Sequence, residues 1–215
     1  MYWYWRWLGL FVIFVVICRF TRLTGVALPI VTKTINYKDV KTGDLLLFVS
    51  RSTDAALIQA WTDEIFSHIA LCYKSPISGK LYAWNADVET KVPCVIQKKC
   101  CEGVQLQKLK DKVKKASGYV YSLRLNFYVK PWSWEWMEQW VGVPFRHNLW
   151  DLGHAAMPLL VPQRSCDFTR QMYCTELVAL TLRCQKIPLL KGQSTPLQLV
   201  RQLGLDLSEL KLIKV

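Results

Sequence analysis

With 215 residues, 52% of them hydrophobic, the chain has material for one substantial core and is short for two domains, so one catalytic-sized domain with an appendage is the natural division. Its formal net charge of +12 suits an anionic partner, either nucleic acid or an acidic lipid surface, without choosing between them. The eight cysteines (Cys18, Cys72, Cys94, Cys100, Cys101, Cys166, Cys174, Cys184) have irregular spacings and no paired CxxC, which argues against a zinc site and a compact disulfide scaffold. The adjacent Cys100 and Cys101 read as two reduced thiols rather than a strained vicinal disulfide, and that favours a reducing compartment.

The chain opens MYWYWRWLGLFVIFVVICRFTR. Up to Cys18 this apolar stretch would make a helix of roughly 27 Å, near the thickness of a hydrocarbon core. Tyr2, Trp3, Tyr4, Trp5 and Trp7 are rings suited to an interface, and the Arg6 guanidinium can snorkel to the headgroups. A cleaved secretory signal is the alternative, with Arg6 as its basic lead. Arg19 and Arg22 directly after the segment and the poorly placed small residues Gly25 and Ala27 favour a retained anchor. More basic residues follow the segment than precede it, which predicts a cytoplasmic globular domain. The division is therefore an anchor at 1–22, a linker at 23–39 and a globular domain at 40–215.

Within the domain, VKTGDLLLFVSRS predicts a turn at Gly43 and Asp44 and a buried strand from Leu45 to Val49. DAALIQAWTDEIF reads as a short helix that Asp54 can cap. SHIALCYK and LYAWNADV are strands joined by the turn SPISGK into a hairpin. After a stretch read as loop or edge strand, Val104 to Leu106 forms a strand that enters the lysine-rich helix KLKDKVKKASG, with Leu109 and Val113 on its inner face. Its lysines read as a solvated face that anionic lipid would attract. GYVYSLRL alternates like a strand. SWEWMEQWVGVPF is a helix with an aromatic face, used for core packing, that stops at Gly142 and Pro144. A loop-rich stretch from Arg146 to Arg170 precedes a helix opened by Cys174 and ending before Pro188, and the tail supplies an amphipathic helix and a last strand. The pattern is an antiparallel sheet with helices gathered to one side, an α+β arrangement.

Cys174 opens MYCTELVAL at a helix start, where the helix dipole and unsatisfied backbone N–H groups favour thiolate over thiol and offer donors to an oxyanion. The alternative is a small buried hydrophobe; Cys166 and Cys184 are read that way. Three histidines are candidate bases. His68 stands at the mouth of the strand IALCY, where an imidazole can face a cleft, whereas His147 and His154 lie in the loop-rich stretch. Asn85, on the strand paired with that of His68, is placed to orient the imidazole, and Asp87 has the same strand parity and is its rival.

In order along the chain, TGDLLLF, FSHIAL, WNA, EGVQLQKL, WVGVPF and YCTELVAL resemble the circularly permuted branch of the NlpC-type papain-like superfamily. That branch holds bacterial YiiX-like proteins, poxvirus relatives and, more distantly, lecithin–retinol acyltransferase-like enzymes. The resemblance runs from Val40 to Leu182. It implies a papain-like α+β core in which the histidine strand precedes the cysteine helix, with Cys174 as nucleophile, His68 as base and Asn85 as orienting group. Relatives often carry a glutamate before alanine where Asn85 and Ala86 stand, and the gap from Asn85 to Gly103 looks expanded.

These readings converge on a membrane-anchored cysteine hydrolase or acyltransferase that cleaves an amide or ester through a thioester and needs no metal or organic cofactor. Membrane lipid and a peptide or lipid-linked acyl group are the expected partners. The competing reading is an inactive structural or interaction protein of a membrane or virion, in contact with other virion proteins of a large DNA virus. Nucleic-acid binding through the lysines ranks last, since no recognised nucleic-acid motif is present.

Overall fold

The computed structural model describes residues 33–88, 91–146, 171–189 and 194–214. The stretch at 1–22 expected to be an anchor, Cys18, Cys166, His147, His154 and the piece LGHAAMPLLVP lie outside these residues. Among the described residues no helix is long and apolar enough to cross a membrane.

In chain order the elements are β1 (Thr34–Asn36), β2 (Leu45–Val49), α1 (Thr53–Thr62), β3 (His68–Lys74), β4 (Leu81–Asp87), β5 (Gly103–Lys108), α2 (Leu109–Lys115), β6 (Tyr119–Leu123), α3 (Trp134–Trp140), α4 (Cys174–Cys184), α5 (Pro196–Gln202) and β7 (Lys211–Lys214). The strands form one seven-stranded sheet in the order β1-β7-β6-β2-β3-β4-β5. The fold is α+β.

Three expectations need correction. The sheet is mixed rather than antiparallel throughout, because β1 pairs with β7 in parallel, Ile35 opposite Ile213. It also begins inside the stretch assigned to the linker. Helices cover both faces rather than one. The larger core joins Leu45, Leu47, Ile69, Leu71, Trp84 and Leu106 to Met137 of α3, Leu177 and Val178 of α4 and Leu199 of α5. The alternate residues Leu46, Phe48, Ala70, Cys72 and Ala83 point the other way, onto Leu109 and Val113 of α2. Strands with apolar residues on both faces need cover on both, and α2 supplies it opposite α4.

Local chemistry sets the boundaries. Ser52, not Asp54, caps α1 by accepting the N–H of Ala55. The helix stops at Asp63, which adopts the left-handed conformation at φ 56°. Ser133 caps α3 through the N–H of Trp136. The rings of α3 do pack inward, Trp136 lying 6.1 Å from both Trp84 and Trp140 by ring centroids. Gly103, at φ 93°, lets the following loop close on β5: a Cβ there would sit 2.2 Å from the carbonyl oxygen of Val143. Val104 donates to that same oxygen at 2.8 Å, and Gly142 donates to Val104 at 2.9 Å.

Candidate active site

Strand β3 changes partner along its length. From His68 to Leu71 it is paired with β2, ending in Phe48 opposite His68. Its pairing with β4 runs only from Lys74 back to Leu71, which faces Trp84. Beyond that point Asn85, Ala86 and Asp87 pair with β5 alone. The two strands part at the His68 end, where Asn85 and Asp87 meet the imidazole.

Alternation explains who points where. Cys72 donates its N–H to Asp44 on the β2 side. The amides of odd-numbered neighbours, Ile69 among them, therefore face the β4 side, where β4 has left. The Ile69 N–H instead faces the thiol of Cys174 at the start of α4, which the N–H groups of Cys174 and Thr175 also influence. His68, Asn85 and Asp87 share the parity of the α2 face, whereas α4 packs on the opposite face. The break in pairing brings the sulfur to the backbone beside His68, at the margin between the two faces.

The imidazole has two partners on one nitrogen. Nε2 of His68 lies 3.2 Å from Asn85 Oδ1 and 3.7 Å from Asp87 Oδ2. Asn85 is fully buried, and its Nδ2 donates to the carbonyls of Ala83 (3.4 Å) and Gln105 (3.3 Å) and to Gln107 Oε1 (3.3 Å). Three acceptors around Nδ2 turn Oδ1 toward the histidine, so Nε2 carries the proton and Nδ1 the lone pair in the neutral ring. Gln107 is itself held by its donation to Val92 at 2.7 Å. Phe48 packs on the imidazole, its ring centroid 5.1 Å away.

Asp87 is paired with Lys112 of α2, a lysine whose side chain is only 2% exposed. The lysine run is therefore not wholly a solvated face. Lys112 stands three residues after the buried Leu109 and turns inward with it.

The start of α4 is clamped from the side. Glu176 accepts the N–H of Tyr173 at 2.8 Å through one carboxylate oxygen. Arg146 lies 3.5 Å from the other oxygen and stacks over the Tyr173 ring at 5.3 Å. Met172 donates to Pro144 at 3.0 Å, tying that loop to the residue before the helix.

One electrostatic expectation is overturned. Burial pushes the Cys174 thiol up to about 12, and the nearby Asp87 carboxylate acts in the same direction, against the lowering by the Ile69, Thr175 and Cys174 amides. Three N–H dipoles do not replace the lost hydration of a thiolate, so burial outweighs them in favour of the thiol. Cys184, expected to be buried, is exposed, while Cys72 and Cys94 are buried and all six described cysteines are thiols. Among the described residues no group of three or more His, Cys, Asp or Glu side chains is placed to hold a metal ion.

Sequence reasoning passed over Lys112, Gln105, Gln107, Arg146 and Glu176. The polar alternation of Gln105 and Gln107 with Val104 and Leu106 was a usable signal, since it puts amides on one buried face of β5. The ion pair between Arg146 and Glu176 had none, because thirty positions separate its partners.

No family model and no curated protein matches the chain. Among solved structures it is similar to the metalloprotein YiiX of Escherichia coli O157:H7, with a TM-score of 0.41 and 17% identity over 80% of this chain and 87% of that one.

Proposed function

We propose that this protein is a cysteine hydrolase or acyltransferase of papain-like, permuted NlpC type, acting on an amide or ester. The observation that supports the reading is the parting of β3 from β4, where the His68 imidazole meets Asn85 and where the Cys174 thiol lies close enough to Ile69 and Asp87 to feel both. In this mechanism Asn85 holds the Nε2–H, and Nδ1 of His68 takes the thiol proton as sulfur attacks the carbonyl carbon. The amides of Cys174 and Thr175 are donors for the developing oxyanion. Nδ1–H then protonates the leaving amine or alcohol, and the thioester passes its acyl group to water or another acceptor. Because the resting thiol is neutral, proton transfer accompanies attack rather than preceding it. Anchoring through residues 1–22 and a lipid-linked or peptide acyl substrate belong to the same proposal.

The test is incubation of the protein with p-nitrophenyl acetate, followed by site-resolved mass spectrometry. The expected result is an acetyl thioester on Cys174 that is strongly reduced in His68→Ala. Acetylation confined to the exposed Cys100 and Cys184, unchanged in His68→Ala, overturns the reading. The burial of Cys174 is the observation that favours the alternative, a structural or interaction component of a membrane or virion with an inert thiol.

A further inference from the structure

We propose that Asp87 and Lys112 form a buried charge pair that keeps His68 a neutral base, with Lys112 a positioning residue acting through Asp87. The inference rests on the reading of His68 as the base. Its geometry is a shared carboxylate oxygen: Asp87 Oδ2 is bonded to Lys112 Nζ and lies 3.7 Å from His68 Nε2. The lysine and the imidazole also flank one aromatic ring, the ammonium 5.6 Å and the imidazole 5.1 Å from the Phe48 centroid.

Two bases compete for positive charge beside that oxygen. An amine holds its proton far more tightly than an imidazole, so the lysine carries the charge and the carboxylate's field at the ring is largely cancelled. Asp87 standing alone would instead favour the imidazolium, which has no lone pair on Nδ1 and does not accept the thiol proton. The ring also meets the apolar Phe48 from β2 and the neutral Asn85 from β4, which Gln105 and Gln107 of β5 hold in turn, while the Cys174 thiol of α4 feels the Asp87 carboxylate. Asp87 and Lys112 are thus the charged groups that these contacts set beside the ring, with Cys174 the titratable group that feels Asp87.

The neighbouring role of Asn85 sharpens the assignment. With Asn85 already accepting from Nε2–H, the tautomer is fixed without a charged partner. Asp87 does not need to orient the ring, and Lys112 ensures that it does not charge it. A pair that only fastened α2 to β4 would change stability and leave the imidazole untouched, which separates the two roles experimentally.

The experiment is an NMR titration of the His68 imidazole in the full chain, its resonances assigned by their loss in His68→Gln, across wild type, Lys112→Met, Asp87→Asn and the double variant. Lys112→Met is expected to raise the His68 pKa by about one unit or more and Asp87→Asn to lower it, since each leaves one uncompensated charge beside the ring. The double variant should return to within about 0.3 units of wild type, because replacing both buried partners by neutral groups is tolerated. Should Lys112→Met not fold, Asp87→Asn and the double variant decide alone. An imidazole pKa unmoved in folded Asp87→Asn, or shifted equally in Asp87→Asn and the double variant, overturns the proposal. The titration needs no turnover: opposite shifts without acetylation of Cys174 leave the pair standing and remove the hydrolase reading, and acetylation without shifts does the reverse.

Discussion

The two faces of strands β3 to β5 are made of opposite materials. Toward α4 stand Ile69, Leu71, Trp84, Ala86, Val104 and Leu106, with a polar link from the Trp84 indole to Thr181 at 3.1 Å. Toward α2 the same strands present Asn85, Asp87, Gln105 and Gln107, all buried and engaged with one another, with His68 or with the chain at Val92. The first face holds the molecule together; the second is polar at a depth where unpaired groups are costly. The orientation of His68 depends on that second-face network, while the helix that carries the Cys174 thiol rests on the first.

That division can be broken from either side. The largest effect is expected on the polar side: His68→Ala should cut Cys174 acetylation by about 10²–10⁴-fold, the usual range for a lost general base, while urea unfolding changes little. On the apolar side Leu71→Ala should cost about 2–5 kcal/mol of stability by urea unfolding, with the acetylation rate per folded molecule retained. Asn85→Ala tests the border. It strands the Gln107 Oε1 acceptor and should cost about 1–3 kcal/mol, with a roughly tenfold slower acetylation as the ring loses its fixed tautomer. An Asn85→Ala variant as active as wild type would shift the orienting role away from Asn85.

Smaller effects sharpen the comparison through pH. Burial holds the Cys174 thiol up at about 12, so iodoacetamide at pH 7 should modify it more slowly than the exposed Cys184, the rate rising through the whole accessible alkaline range. Faster modification of Cys174 than of Cys184 would mean that the resting site holds a thiolate. Glu64 is a polar exception under α5, accepting from Thr195 Oγ1 and, at 3.0 Å, from the Leu197 N–H. Burial raises its carboxyl above the ordinary 4.5, against those two hydrogen bonds. The folded state then binds the proton more tightly than the unfolded one. Its contribution to stability is fully present below 4.5 and falls as pH rises through the raised value. Glu64→Gln should flatten that slope in urea titrations run across the acidic range.

Much of this arrangement was legible in the chain. The β3–β4 hairpin, the strand at Val104 to Leu106 leading into α2, and the helix opened by Cys174 follow from alternation, turn residues and apolar runs. The parity that links His68, Asn85 and Asp87 is a period-two property of strands and needs no tertiary information. Both candidates for the third role stand at the imidazole, and parity alone had no means of choosing between them. What sequence concealed depends on distance along the chain. The parallel pairing of β1 with β7 joins segments from opposite ends of the sheet order in sequence, and β1 was too short to stand out from a linker. The upward push on the Cys174 thiol comes from how deeply α4 is packed, and dipole reasoning at a helix start contains no measure of depth. Lys112 was hidden by its neighbours, since one inward lysine among several outward ones has the same composition.

The position of β7 has a consequence for how the molecule is made. It lies between β6 and β1, so β1 has no place in the sheet until the last of these strands has left the ribosome. The hairpins β3–β4 and β4–β5 are local in sequence and can form well before that, whereas α4 must cross a long intervening stretch to reach Ile69. During synthesis the histidine and its amide partner can therefore be assembled first and the thiol delivered afterwards, so any chemistry at Cys174 waits until α4 has followed β3 and β4 out of the ribosome.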